Sequence, residues 1–195
     1  VLEAGDGTKR RYVLKGRRLK AVCGDVVKWT EQKDSPEALV TSVSERSNAL
    51  ERPGSSGNAE LIAANLARLL VVLAPAPEPD FFIADRYLCS AELMGANGIV
   101  IWNKTDISPD IPDKIMEYQD LGYDMLAMSC ETSEGLGKLE SILGDGISML
   151  VGQSGVGKSS LINTLVANAD AAIGELSEAS REGRHTTTAS YMHEL

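Results

Sequence analysis

Between residues 9 and 50 the apolar positions come in short runs separated by polar turns. Tyr12-Val13-Leu14, residues 19–23, Val26-Val27-Lys28-Trp29 and Leu39-Val40 are the runs, punctuated by Gly16, Gly24-Asp25 and Asp34-Ser35-Pro36. Runs of this length and spacing predict a small antiparallel β-barrel or part of one, with a first strand upstream of Val1. The stretch Arg52-Pro53-Gly54-Ser55-Ser56-Gly57 is dense in turn formers and predicts a domain boundary. Beyond it the pattern changes. Continuous apolar runs at residues 69–74, 98–102, 123–128 and 147–151 predict buried strands, with helical stretches between them. Asp80 is placed to cap a helix running through Met94, and a helix around residues 112–121 has Pro112 at its start. Residues 135–143 predict a short helix, and a longer one runs from Lys158 to about Ala167. The prolines of Pro75-Ala76-Pro77-Glu78-Pro79 exclude helix and predict a stiff loop. Strands alternating with helices imply a mostly parallel sheet covered on both faces. Two domains are therefore expected: a β domain over residues 1–52 and an α/β domain over residues 58–195.

Composition narrows the classes. With 43% apolar residues the chain has the make-up of a globular protein. No apolar run approaches the roughly 20 residues needed to cross a bilayer, and residues 1–20 lack the apolar core of a signal peptide. A cytoplasmic location and no membrane partner are the expectations. Cys23, Cys89 and Cys130 are three and far apart, which argues against both a disulfide framework and a complete zinc site. The net charge is −9, but residues 1–52 carry +3 and residues 53–195 carry −12. Residues 9–20 hold seven basic side chains and no acidic one. That run is either a solvated strand face or a contact for a polyanion.

Gly152-Gln153-Ser154-Gly155-Val156-Gly157-Lys158-Ser159, followed by Ser160, fits G-x-x-x-x-G-K-[ST] between a predicted strand and a predicted helix. Glycines let backbone N–H groups converge on phosphate oxygens, and the helix N-terminus adds free donors and a favourable dipole. Lys158 is expected to reach the β- and γ-phosphates and Ser159 to ligate Mg²⁺. This loop alone does not choose the base.

Asn103-Lys104-Thr105-Asp106, at a predicted strand end, resembles the N-K-x-D guanine-specificity motif of GTPases. Standing alone it would also serve as a capped strand-to-helix turn. A carboxylate at Asp106 can accept from guanine N1–H and N2–H₂. Adenine has neither donor, so ATP would leave Asp106 desolvated and unpaired. The resemblance implies that Asn103 bonds the base edge and Lys104 lies over the ring. Ser129-Cys130-Glu131 resembles the S-A-K loop whose backbone N–H meets guanine O6; taken alone it is also an ordinary loop. In Gly183-Arg184-His185-Thr186-Thr187-Thr188, Thr187, with Thr186 as the alternative, resembles the switch residue that completes Mg²⁺ coordination. The same threonines also suit entry into a strand. Residues 174–183 are polar and Gly/Ser/Glu-rich, fitting a switch loop. His185 is the candidate acid–base group for hydrolysis, or a switch side chain that only packs and hydrogen-bonds.

The order of the motifs is inverted. Asn103 precedes Lys158 by 55 residues, so the base-binding half comes before the phosphate-binding half, as in a circular permutation. That order, with an N-terminal β module, resembles the RsgA (YjeQ) family of ribosome-small-subunit-dependent GTPases. Further matching runs are Gly24-Asp25-Val26, Arg46-Ser47-Asn48-Ala49-Leu50-Glu51-Arg52-Pro53, Ile62-Ala63-Ala64-Asn65 and Asp85-Arg86-Tyr87-Leu88. The resemblance implies a permuted P-loop GTPase domain preceded by an OB-fold and followed by a zinc-binding domain. The D-x-x-G motif and the zinc ligands would lie beyond Leu195. It also implies GTP, GDP and Mg²⁺ as ligands, the small (30S) ribosomal subunit and its rRNA as partners, a monomer, and hydrolysis stimulated by the subunit. The alternative function is an RNA-binding module whose nucleotide pocket acts as a binding switch without efficient hydrolysis. An ATP-using kinase is disfavoured by Asp106.

Overall fold

A computed structural model of the chain describes residues 2–3, 9–16, 18–33, 35–54, 57–173 and 192–193. These divide into two compact units, Val1–Asn65 and Leu66–Leu195.

The first unit is built from short strands. β1 (Leu2–Glu3) and β2 (Lys9–Arg10) form an antiparallel pair. β3 (Tyr12–Leu14), β4 (Val27–Gln32) and β5 (Ser35–Val43) form a sheet in the order β3-β5-β4. β4 and β5 pair antiparallel, whereas β3 runs parallel to β5. β6 (Ala49–Pro53) and β7 (Ala59–Ala64) make an antiparallel hairpin. Ala38, Val40, Leu50, Ala63 and Ala64 are its buried apolar side chains.

Three expectations are corrected here. The strand pairing is mixed, in three separate sheets, and a closed antiparallel barrel is not seen among the described residues. The run at residues 19–23 is not a strand; it makes one bridge, Cys23 to Ala63. Side chains take the place of a ladder there: the Val22 N–H donates to Asp25 Oδ2 (2.9 Å) and Arg46 Nη2 donates to the Lys20 carbonyl (3.3 Å). Burial alone would raise the Asp25 pKa, but the Arg46 and Val22 bonds outweigh it and hold the carboxyl below its ordinary value. The division between units falls after Asn65, and Arg52 and Pro53, expected at a boundary, instead end β6, which pairs with β7. Just beyond them the Gly54 N–H donates to the Asn58 carbonyl.

The second unit is an α/β layer structure. Its elements are β8 (Leu66–Leu73), α1 (Phe81–Met94), β9 (Asn97–Trp102), α2 (Asp113–Asp120), β10 (Asp124–Ala127), α3 (Leu136–Leu143), β11 (Ile147–Val151) and α4 (Lys158–Ile173). All four strands are parallel, in the order β10-β9-β8-β11. Leu69 to Leu73 are buried throughout, as a strand apolar on both faces requires. On one face Leu70, Val72, Ile99 and Ile101 pack with Leu139 of α3 and Leu161 and Leu165 of α4. On the other, α1 covers β8 and β9 with Ala84, Leu88 and Ala91. Gly98 allows the close approach of α1, because a Cβ there would stand 3.1 Å from Leu88. The Tyr118 hydroxyl of α2 donates to Asp85 of α1 at 2.6 Å. Asp80 caps α1 as the sequence predicts, accepting from the Ile83 N–H at 3.1 Å.

The chain runs outward from β8 to β10 and then returns to the far side of β8 as β11. The strand order therefore reverses between β8 and β11. In open parallel sheets the crevice beyond the carboxyl ends at such a reversal is where ligands bind.

Candidate functional site

Four loops leave the carboxyl ends of the strands, and side chains bind them to one another. The loop after β11 begins at Gly152, whose φ is +137° and whose Cβ, if it had one, would fall on the Val72 carbonyl. Gly157 has φ +98°, and a Cβ there would strike the Asn103 amide. No L side chain fits either place, so the glycine spacing read from the sequence is a steric demand of this loop. The loop ends at Lys158, the first residue of α4, with Ser159 and Ser160 exposed on the opening turn. The N–H groups of that turn precede the first intrahelical partners and are available as donors. Lys158 Nζ donates to the Gly152 carbonyl (2.8 Å) and the Gln153 carbonyl (2.6 Å). Burial pushes its pKa below the usual lysine value.

The loop after β9 carries Asn103, which is 1% exposed. Its backbone N–H continues the sheet to the Leu73 carbonyl (2.8 Å), and its amide Nδ2 donates to the Val156 carbonyl (2.9 Å). The Cys130 thiol points to its Oδ1 at 3.8 Å. Asn103 therefore ties three loops together. Lys104 adopts a left-handed backbone (φ +65°), and its Nζ donates to the carbonyls of Ala76 (2.8 Å) and Gly155 (2.7 Å). Asp106 is exposed, with Oδ1 accepting from the Ser129 hydroxyl and the other oxygen without a hydrogen bond among the described residues. Ser129 is fully buried, and its Oγ also accepts from the N–H groups of Glu131 (3.2 Å) and Thr132 (3.3 Å). One hydroxyl thus fixes both the carboxylate and the loop after β10. Burial raises the Cys130 pKa, so this thiol stays protonated near neutrality.

The structure brings Gly152 to Ser160, Asn103, Lys104, Asp106, Ser129 and Cys130 into one connected cluster. Arg184, His185, Thr186, Thr187 and Thr188, and the loop at residues 174–183, lie outside the described residues. A hard oxygen donor is present at Ser159 for a divalent cation, and the described residues hold no cluster of His, Cys, Asp and Glu suited to a metal. Gln153, read in the sequence only as a member of the phosphate loop, has a bracing role that the structure reveals. Gln153 is turned away from the loop's mouth: its Oε1 accepts from the Asp80 N–H (2.9 Å) and its Nε2 donates to the Glu78 carbonyl (3.0 Å). Its polar type at a variable position of the motif was the available signal, but its partners lie 73 and 75 residues away.

The RsgA GTPase family model matches residues 43–195. The chain is 37% identical over 202 residues to the "Small ribosomal subunit biogenesis GTPase RsgA" of Haemophilus influenzae (strain PittEE), an alignment covering 100% of this chain and 58% of that protein. It is 39% identical over 204 residues to the protein of the same name from Alcanivorax borkumensis, covering 98% of this chain and 58% of the relative. The chain thus spans less than two thirds of the length of these relatives. Among solved structures, YjeQ from Thermotoga maritima superposes with a TM-score of 0.62 at 27% identity, covering 83% of this chain and 58% of that one. A second, YloQ, described as a circularly permuted GTPase, gives 0.52 at 27% identity and covers 77% and 54%. No described helix is long and apolar enough to cross a membrane.

Proposed function

The chain belongs to the RsgA GTPase family, and from that premise we propose that it binds GTP and hydrolyses it in the service of small-ribosomal-subunit biogenesis. The observation that carries the proposal is the cross-tied cluster at the strand reversal. A glycine-built loop with a half-buried lysine stands beside an exposed carboxylate that a buried hydroxyl holds in place. The first half suits a polyphosphate, and the second suits a base with two adjacent N–H donors, which is guanine.

In this reading the N–H groups from Ser154 to Ser160 receive the α- and β-phosphates, and Lys158 extends to the β–γ region. The Asp106 carboxylate accepts from guanine N1–H and N2–H₂, the Cys130 N–H donates to O6, and Lys104 lies beside the ring while bracing Gly155. Bound Mg²⁺ would neutralise charge on the β- and γ-oxygens, with Ser159 as one ligand and Thr187, or Thr186, as another. Hydrolysis forms a bond from water to the γ-phosphorus and breaks its bond to the bridging oxygen, leaving GDP and phosphate. His185 is the group proposed to assist proton transfer.

The first unit is proposed as an OB-fold-like rRNA contact. Arg11, Lys15, Arg18 and Lys20 are exposed, and the Arg10 guanidinium lies 5.5 Å from the centre of the Trp29 ring, a combination suited to phosphate and base stacking. The protein is proposed to act as a cytoplasmic monomer. Hydrolysis is expected to be slow alone and faster on the subunit. The test is sedimentation with purified small subunits under GDP and under a non-hydrolysable GTP analogue, beside GTPase rates with and without subunits. Stronger pelleting with the analogue and a stimulated rate are expected. Equal pelleting together with an unstimulated rate would leave a GTP-binding protein without a ribosomal switch.

A further inference from the structure

The loop between β8 and α1 has a composition that the nucleotide reading leaves unused. Pro75, Pro77 and Pro79 alternate with Ala76, Glu78 and Asp80. Three prolines remove three N–H donors and stiffen the backbone, so the intervening carbonyls have no local partners. Side chains of the site take those carbonyls. Lys104 Nζ donates to Ala76, and Gln153 Nε2 donates to Glu78. Pro77 itself packs against Gly155, where a Cβ would meet its ring at 3.3 Å. Gln153 completes the contact by accepting from the Asp80 N–H, one residue before α1 begins. Its two partners also settle the orientation of the amide, since an N–H can meet only the oxygen and a carbonyl only the NH₂.

Asn103, Lys104 and Lys158 hold the phosphate loop's carbonyls at Val156, Gly155, Gly152 and Gln153, and the Gln153 side chain is the loop's own tie to a neighbour. Ser154 and Gly155 are exposed, and Gly152, Gly155 and Gly157 all occupy positive φ, where glycine is the most mobile residue. Glycines at these positions leave the backbone more than one accessible form. A clasp to a proline-stiffened neighbour, anchored on a capped helix, selects one of them.

We propose that Gln153 is a positioning residue that, with the proline loop at residues 75–80, holds the empty phosphate loop in its nucleotide-accepting form. The inference rests on the reading of residues 152–160 as the phosphate-binding loop. Its consequence is kinetic. When the accepting form is a fraction of the free protein, association slows by that fraction. Once phosphate is bound, its oxygens hold the loop N–H groups, so dissociation barely depends on the clasp. Base selection, made by Asp106 on other loops, does not depend on it either.

The experiment is stopped-flow binding of N-methylanthraniloyl-GDP to the full chain and to Gln153→Met, Gln153→Ala, Pro79→Ala and Lys158→Ala variants. Gln153→Met keeps the length and apolar stem and removes both hydrogen bonds. It is expected to lower the association rate about tenfold, the scale of two partly exposed hydrogen bonds, and to leave the dissociation rate within about twofold. The preference for GTP over ATP should not change. Pro79→Ala should give a smaller fall in the same rate, and it decides the matter if the Gln153 variants do not fold. An unchanged association rate, or a loss confined to faster dissociation, overturns the clasp. Lys158→Ala separates the two levels. If it weakens binding while Gln153→Met does not, the clasp alone is wrong. If neither variant changes binding, the phosphate-loop reading fails as well.

Discussion

On the side of the site proposed to take the base, order comes from buried side chains. Asn103 and Ser129 are almost wholly inaccessible; Asn103 ties three loops and Ser129 two through side-chain hydrogen bonds. On the phosphate side, order comes from the backbone. Glycines at positive φ shape an exposed loop, and Lys158, Lys104 and Gln153 brace it from its flanks. The contrast fits what each half is proposed to recognise. A planar base is distinguished by the exact donors on its edge, so its acceptor must not move, and a buried hydroxyl fixes it. A phosphate chain presents many equivalent oxygens, which a set of N–H groups can meet without a side-chain code.

Substitutions should therefore fail differently on the two sides. The largest effect is expected where the halves meet. Gly157→Ala puts a methyl against the Asn103 amide and strains a backbone at φ +98°. Strain and a lost buried hydrogen bond should cost about 3 kcal/mol together, read as a lower melting temperature and loss of detectable binding of both GDP and GTP. Retained binding would mean that the two halves are independent. Ser129→Ala should act on one side alone. Removing this hydroxyl leaves the Asp106 oxygen and two N–H groups without it. Guanine-nucleotide affinity should fall about tenfold and the margin over ATP should narrow, with the GDP-to-GTP ratio unchanged, as calorimetric titration would record.

The smallest effect concerns protons on the phosphate side. Burial lowers the Lys158 pKa in the free protein, and an adjacent phosphate would raise it again. Below the lowered value the lysine is charged in both states, and affinity is flat with respect to this group. As pH rises through that value toward the bound one, binding takes up a proton and affinity falls. Calorimetry in two buffers of different ionisation heat should detect uptake that grows on the alkaline side and vanishes in Lys158→Ala. Uptake that persists in the variant would assign the proton elsewhere.

Much of the second unit was legible in the sequence because its signals are local. Apolar runs marked the four strands, and Asp80 and the prolines before it marked the start of α1. The glycine-lysine loop followed its strand and opened its helix as the motif requires. The first unit was less legible. Its strands are short, and the parallel pairing of β3 with β5 depends on where the chain returns, which no local pattern encodes. The β6–β7 hairpin was hidden by its own turn, since Pro53, Gly54 and Gly57 suit a linker as well as a hairpin; the apolar run after Gly57 was the clue to the second. The tying roles of Asn103 and Gln153 escaped for a related reason. Their partners, Val156 and the loop at residues 78–80, come near them only when β8, β9 and β11 lie side by side.

In the proposed function, Asp106 is the residue that reads guanine. Replacing its carboxylate by an amide in Asp106→Asn substitutes a donor for one acceptor, which opposes guanine N2–H₂ and suits the C2 carbonyl of xanthine. Titration of the parent chain and this variant with GTP, ATP and XTP tests the claim directly. The parent should prefer GTP to both others. The variant should lose at least about a hundredfold in GTP affinity and prefer XTP, the scale on which a site built for a hydrogen bond rejects a ligand lacking it. GTP affinity unchanged in the variant, or ATP binding the parent as well as GTP does, would contradict it.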